Sequence, residues 1–307
     1  MKLLVLIIIL FVFTINFSEE KFPLDNSEQS LPYLMSSKQL KPLRSLIDFN
    51  LQSMLEKKLN SNPKWKRLIQ AKKMAVGVVD IKDPNKIRFA RVNGNEMMYA
   101  ASLPKIAVLL ASQQAFEDGD LVETDEIKHD MRLMIAKSDN AASTRMIDLL
   151  GYKKIEEVLT DPRYELYDEE YGGGLWVGKR YASDGPRYPD PILGLSHSAT
   201  VSQVCRFYYL LAFGQLVSFD RSIEMLDIMV DPELHHKFVN SIEKLDPDAK
   251  LYRKSGSWQN YHSDSILVWG DDWRRYILVA LIEDENGEMI IRNLLPEVEE
   301  ILLPHNK

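Results

Sequence analysis

Cysteine is nearly absent from this chain: Cys205 is the only one in 307 residues. An intrachain disulfide is therefore excluded, and so is a cysteine metal site. Cys205 falls in the apolar pattern of Val201 to Leu211, which marks it as a core residue. The six histidines, the pair His235-His236 included, show no spacing of the His-Glu-x-x-His kind. Structural or surface roles are expected for them, and no metal or other cofactor is implied. A basic stripe is missing as well. Net charge is −7, and Lys and Arg are dispersed, which disfavours nucleic acid as the partner. Small molecules or cell-wall peptides fit better.

Long apolar runs are scarce too. Met1-Lys2 followed by Leu3 to Phe13 without a polar residue reads as a positive n-region and an apolar h-region too short to span a bilayer comfortably. Export to a periplasmic or extracellular site is expected. No small-x-small site is clean near Ser18, so residues 1–20 read as either a cleaved signal peptide or a retained anchor. No cysteine follows the run, which argues against a lipoprotein. With 45% apolar and 27% charged residues, the rest has the composition of a globular protein that buries a full core.

Residues 21–42, polar with scattered Pro and Ser, read as a linker. Leu43 to Leu59 shows helical spacing. Met74 to Ile81 and Ile87 to Met98 read as two strands joined at Asp83-Pro84-Asn85, an antiparallel hairpin. From Ser102 to about Asp246 the pattern is mostly helical. Strands return at Lys250 to Arg253, Ser265 to Trp269 and Arg274 to Glu283, and a last helix spans roughly Met289 to Leu302. This order predicts an α+β fold. An antiparallel sheet flanked by N- and C-terminal helices (43–100 and 248–307) stands beside an all-helical part (101–247), with a site in the cleft between them.

Ser-x-x-Lys recurs along this chain, so the pattern alone means little. Ser61-Asn62-Pro63-Lys64 sits at a turn signal, and Ser241-Ile242-Glu243-Lys244 lies late in a helical pattern ending at Asp246-Pro247. Ser102-Leu103-Pro104-Lys105 differs, because extended Glu96 to Ala100 gives way there to the helical run Leu103 to Phe116, with Pro104 suited to a first turn. A serine at a helix start has unpaired N–H groups and the positive end of the helix dipole beside its oxygen. Lys105, three residues on, shares its face and is placed to take its proton if burial and a second cation keep it neutral. Lys254 is the obvious second cation.

Ser102-Leu103-Pro104-Lys105, Ser138-Asp139-Asn140 and Lys254-Ser255-Gly256 together resemble the penicillin-recognising serine hydrolases, and the Ser-Asp-Asn form resembles their class A β-lactamase branch. The resemblance runs from about Leu43 to the C-terminus. It implies Ser102 as nucleophile, Lys105 as its proton acceptor, and Ser138 as relay to the leaving nitrogen. It also implies Asn140 on the substrate amide, Lys254 and Ser255 on its carboxylate, and Gly256 allowing close approach. The N–H groups of Ser257 and Ser102 would form an oxyanion hole. Apart from the resemblance, Ser138-Asp139-Asn140 also reads as a helix N-cap before Ala141 to Leu150. Thr200 to Leu216 looks like the family's long helix after its Ω loop.

Two departures matter. The interval from Ser102 to Ser138 is short for the family, which predicts a more open site. The Glu-x-x-x-Asn element that activates the deacylating water is missing between Asp161 and Ser198; among Glu165, Asp168, Glu169, Glu170, Asp184 and Asp190, counting back from Thr200 favours Asp184. The same region holds Gly173 to Lys179, close to a phosphate-binding loop, but Arg180 replaces its Ser or Thr and no apolar strand precedes it, so packing around Trp176 is expected instead. The reading is a monomeric exported serine hydrolase of β-lactamase type, acting on β-lactams or cell-wall peptides. The alternatives are a D-Ala-D-Ala-type peptidase or slowly deacylating penicillin-binding protein, and a non-catalytic cell-envelope binding protein.

Overall fold

The computed structural model of the chain describes residues 30–271 and 273–303. The expected signal peptide or anchor over 1–20 lies outside them, as does much of the expected linker. Where the linker is described it differs from expectation. Tyr33 is buried, its hydroxyl donates to Ile81 O and its N–H to Ala212 O, both at 2.8 Å. Together with Tyr209 Oη donating to Lys41 O and Gln215 Nε2 donating to Met35 O, both at 3.0 Å, this ring with its satisfied polar tip holds the polar segment onto the body.

A short 3-10 turn at Leu43–Leu46 precedes helices α1 (Phe49–Ser61) and α2 (Pro63–Gln70). The expected single helix is broken at Asp48, whose carboxylate caps α1 by accepting from Leu51 N at 2.8 Å. Strands β1 (Met74–Asp80) and β2 (Arg88–Val92) form the expected hairpin. The second strand stops earlier than its composition suggests, because Asn93 turns the chain at φ 51°; Met98–Tyr99 then form a separate β3. Helices α3 (Lys105–Asp118), α4 (Asp125–Ala136) and α5 (Asn140–Thr160) follow, and Gly151 interrupts α5 at φ 74°. Four two- or three-residue strands come next: β4 (Tyr167–Asp168), β5 (Gly173–Gly174), β6 (Trp176–Val177) and β7 (His197–Ala199). Helices α6 (Val201–Ala212), α7 (Phe219–Met229) and α8 (Phe238–Leu245) lead to β8 (Lys250–Trp258), β9 (Tyr261–Trp269), β10 (Arg275–Glu283) and α9 (Gly287–Leu302). Among the described residues no helix is long and apolar enough to cross a membrane.

The main sheet has the order β2-β1-β10-β9-β8, antiparallel throughout. Successive side chains point to opposite faces, and both faces are buried. Val76, Val78 and Leu278 pack with Leu51 of α1, Ile242 of α8 and Leu294 of α9. Val79, Ile277 and Val279 pack with Leu109 of α3 and Phe207 of α6 on the other side. α6 comes closest at Gly77, where a Cβ would stand 2.7 Å from the Sγ of the buried Cys205. The helical part expected over 101–247 thus lends α6 to the sheet rather than standing wholly apart.

β8 and β9 run longer than their apolar stretches, in register from Lys250 opposite Trp269 to Trp258 opposite Tyr261. Lys254, Ser255, Ser263 and Asp264 interrupt the hydrophobic pattern yet stay in the ladder, since backbone bonds do not depend on side-chain polarity. Their burial requires partners. Arg253 donates to Asp264 from two nitrogens at 2.7 and 3.0 Å, and both side chains are fully buried. The same guanidinium holds Leu234 O and His236 O, while Asp264 accepts from Phe238 N at 3.1 Å. This pair pins the segment before α8 to the sheet. Asp264→Ala leaves a buried, unpaired guanidinium and is expected to lower the unfolding free energy by about 3–5 kcal/mol, measured by denaturant titration.

Candidate active site

Ser102 lies in the turn between β3 and α3, one residue after Ala101, which takes φ 51°. α3 itself opens at Lys105 with Pro104 as its N-cap residue. Ser102 N and Oγ make no hydrogen bond among the described residues, so the N–H stays available at this turn. Edge strand β8 closes on this point. A Cβ at Gly256 would stand 2.4 Å from Ala100 O and 2.5 Å from Ser102 N, a separation only glycine allows. Ser263 Oγ ties β9 to the same turn by donating to Ala100 O at 2.7 Å.

Lys105 and Lys254 converge on Ser138 from the two sides of the cleft. Lys105 Nζ donates to Ser138 O at 2.7 Å, Asn140 Oδ1 at 2.8 Å, Asp139 O at 3.3 Å and Ser138 Oγ at 3.4 Å. Lys254 Nζ donates to Ser138 Oγ at 2.9 Å and Ser255 O at 2.7 Å. Ser138 takes φ 58°, which aims it inward, and Asp139 caps α5 by accepting from Ala142 N at 2.6 Å. The capping and site-building readings of this motif therefore both hold. Burial pushes the Lys105 ammonium down to about 7, partly offset by Asp139. Burial also pushes Lys254 well below the ordinary lysine range, and the charges of Lys105 and Arg253 push it further.

Two members of the site were invisible in the sequence. Lys237 is fully buried, and its Nζ donates to Gly256 O at 2.6 Å, Ser257 Oγ at 2.8 Å and Ser263 O at 3.0 Å. Burial draws it down to about 8. Its φ of 57° is uncommon for a residue with a side chain, and no motif spacing marks it. Tyr181 lays its ring 4.4 Å from Lys105 Nζ and donates its hydroxyl to Ala101 O at 3.2 Å. His197 packs on Tyr181 at 4.3 Å, and burial lowers its imidazole to about 4, so it stays neutral.

Of the expected residues, Ser102, Lys105, Ser138, Asn140, Lys254, Ser255, Gly256 and Ser257 come together around the cleft. Asp184 does not. It is exposed and makes no hydrogen bond to any of them, its one described interaction being with the charge of Arg180. The loop between β6 and β7 leaves it exposed, while Tyr181 of the same loop lies beside Lys105. Glu165 pairs with Arg206 and Arg44, and Asp190 accepts from Tyr167 and loop N–H groups, so these acids are structural. Ser61 donates to Lys58 O and Ser241 to Arg292 O, as helix residues remote from this chemistry. Trp176 is the expected anchor, 4.7 Å from Tyr167 and stacked on Tyr188. Among the described residues no group of three or more His, Cys, Asp or Glu is arranged to hold a metal.

The family model for the beta-lactamase enzyme family matches residues 62–132 and 126–301. The chain belongs to that family. Among solved structures, the beta-lactamase from Sphaerobacter thermophilus DSM 20745 is similar at 16% identity and TM-score 0.62, over 84% of this chain and 99% of that one. The TLA-3 extended-spectrum beta-lactamase gives 12% identity and TM-score 0.63, over 85% and 99%. A PBP-A mutant, solved as an acyl-enzyme complex with penicillin G, gives 19% identity and TM-score 0.60, over 85% and 98%. No curated protein matches the sequence. At these identities the structural likeness bears on the fold, and it agrees with the expected sheet with flanking helices and a helical part.

Between about pH 7 and the ordinary lysine value of 10.5, folded Lys105 binds fewer protons than unfolded Lys105, so stability rises with pH across that window. Lys105→Met is expected to remove a rise of at most about 1.4 kcal/mol per pH unit. Denaturant unfolding of both proteins at several pH values checks this. A parallel pH dependence in the two would refute it.

Proposed function

We propose that this protein is an exported serine hydrolase that forms an acyl-enzyme on Ser102 with β-lactams and releases the hydrolysed product slowly. The observation that carries the reading is Ser138 Oγ held between two buried lysine Nζ atoms, those of Lys105 and Lys254, beside the turn of Ser102. A lysine titrating near neutrality takes the Ser102 proton as its oxygen attacks the lactam carbonyl. The oxyanion sits between Ser102 N–H and Ser257 N–H, in the space that Gly256 keeps open. Ser138, paired with Lys254, delivers a proton to the departing nitrogen. Asn140 steadies Lys105 and meets the substrate amide, and Ser255 with the nearby cations meets its carboxylate. The penicillin G acyl-enzyme of the PBP-A mutant supports this choice of substrate.

Hydrolysis of the ester needs a base beside a water, and the side of Lys105 where one would act is covered by Tyr181. A positioned base contributes on the order of 10²–10⁴-fold, so the acyl-enzyme accumulates. This favours slow turnover, close to that of a penicillin-binding protein, over efficient resistance. The N-terminal run Leu3 to Phe13 fits an exported protein facing such substrates.

Mass analysis after penicillin treatment should show one adduct, absent in Ser102→Ala. With a chromogenic cephalosporin, a burst of one equivalent should precede slow turnover; fast linear turnover without a burst would overturn the slow step. Lys105→Ala should reduce the maximal acylation rate, whereas Lys254→Ala should also weaken binding. Asp184→Asn should leave both phases unchanged.

A further inference from the structure

The chemistry above leaves a group of aromatic side chains beside the oxyanion corner without a role. Along β8, Lys254, Gly256 and Trp258 fall on one face by the period of two. Trp258 therefore stands on the face that carries Lys254 toward Ser138 and brings Gly256 against Ser102 N. Its ring lies 5.4 Å from Tyr99 and is stacked on Tyr261 at 6.5 Å, and Tyr99 lies 5.3 Å from Tyr261. Behind Tyr99, His197 at 6.1 Å and Tyr181 continue the row of rings to Lys105. Yet Trp258 is 51% exposed, a large apolar ring packed against Tyr99 and Tyr261 but otherwise open.

The direction of a bound acyl group follows from the site. With the carbonyl oxygen between Ser102 N and Ser257 N, the leaving nitrogen points toward Ser138 and Lys254. The acyl substituent then departs the opposite way along β8, past Ser257 to Trp258. We propose that Trp258, backed by Tyr99 and Tyr261, is a specificity-determining residue that stacks the acyl side chain, and that it selects acyl donors ending in a flat aromatic ring. This rests on the acyl-enzyme reading of Ser102. An offset or edge-on ring pair adds to the apolar area that such a side chain buries, and together they give about a tenfold preference over a donor without the ring.

The test separates binding from chemistry by using Ser102→Ala, which cannot be acylated. Benzylpenicillin and its counterpart with acetyl in place of phenylacetyl are titrated into Ser102→Ala by calorimetry. The phenylacetyl compound should bind about tenfold more tightly. Adding Trp258→Ala should abolish that preference by weakening only the phenylacetyl compound, and Trp258→Phe should keep most of it. Equal affinities in Ser102→Ala, no measurable binding of benzylpenicillin, or an unchanged preference after Trp258→Ala would each overturn the proposal. Failure of the unmodified protein to form an adduct would overturn the Ser102 reading instead, since the binding measurement does not use that hydroxyl.

Discussion

The approach of edge strand β8 to the turn before α3 is the contact on which the site depends. With a Cβ at Gly256 falling 2.5 Å from Ser102 N, the two segments sit closer than any side chain permits. That closeness aligns the N–H groups of both segments and brings Lys254 within reach of Ser138. It is held by residues on either side of it. Ser263 ties β9 to Ala100 O, and the buried Arg253–Asp264 pair fixes the segment that carries Lys237.

Three buried lysines in one cleft would repel one another and lose hydration, and among the described residues no carboxylate side chain hydrogen-bonds to any of them. Hydroxyl and carbonyl oxygens take that place. Lys105 uses Ser138 and Asn140, Lys254 uses Ser138 and Ser255, and Lys237 uses Gly256, Ser257 and Ser263. Neutral acceptors satisfy the N–H groups without restoring the lost solvation, so the ammonium forms are disfavoured. The cost to stability below neutral pH and the lowered proton affinity of Lys105 have the same origin.

Much of this was legible in the chain. Strongly apolar β1 and β10, the covering helices, and Ser102, Lys105, Ser138 and Lys254 follow from local pattern and motif order. Local signals failed where a single side chain decided the outcome. The Asp48 cap divided the first helix, a left-handed Asn93 ended β2, and the buried Tyr33 turned an expected linker into part of the body. Asp184 failed for a different reason: counting along a loop gives no information about which way the loop folds.

The sequence by itself determined the order of elements, the three-motif set and the absence of intrachain disulfides, because these rest on residue identity and near-neighbour spacing. Only the tertiary structure decided that Lys237, 17 residues before Lys254 and without a motif, reaches the site, and that Tyr181 rather than a carboxylate covers Lys105. Both are long-range encounters set by how loops fold over the sheet edge, and the energy that fixes them comes from burial and hydrogen bonds to residues far along the chain.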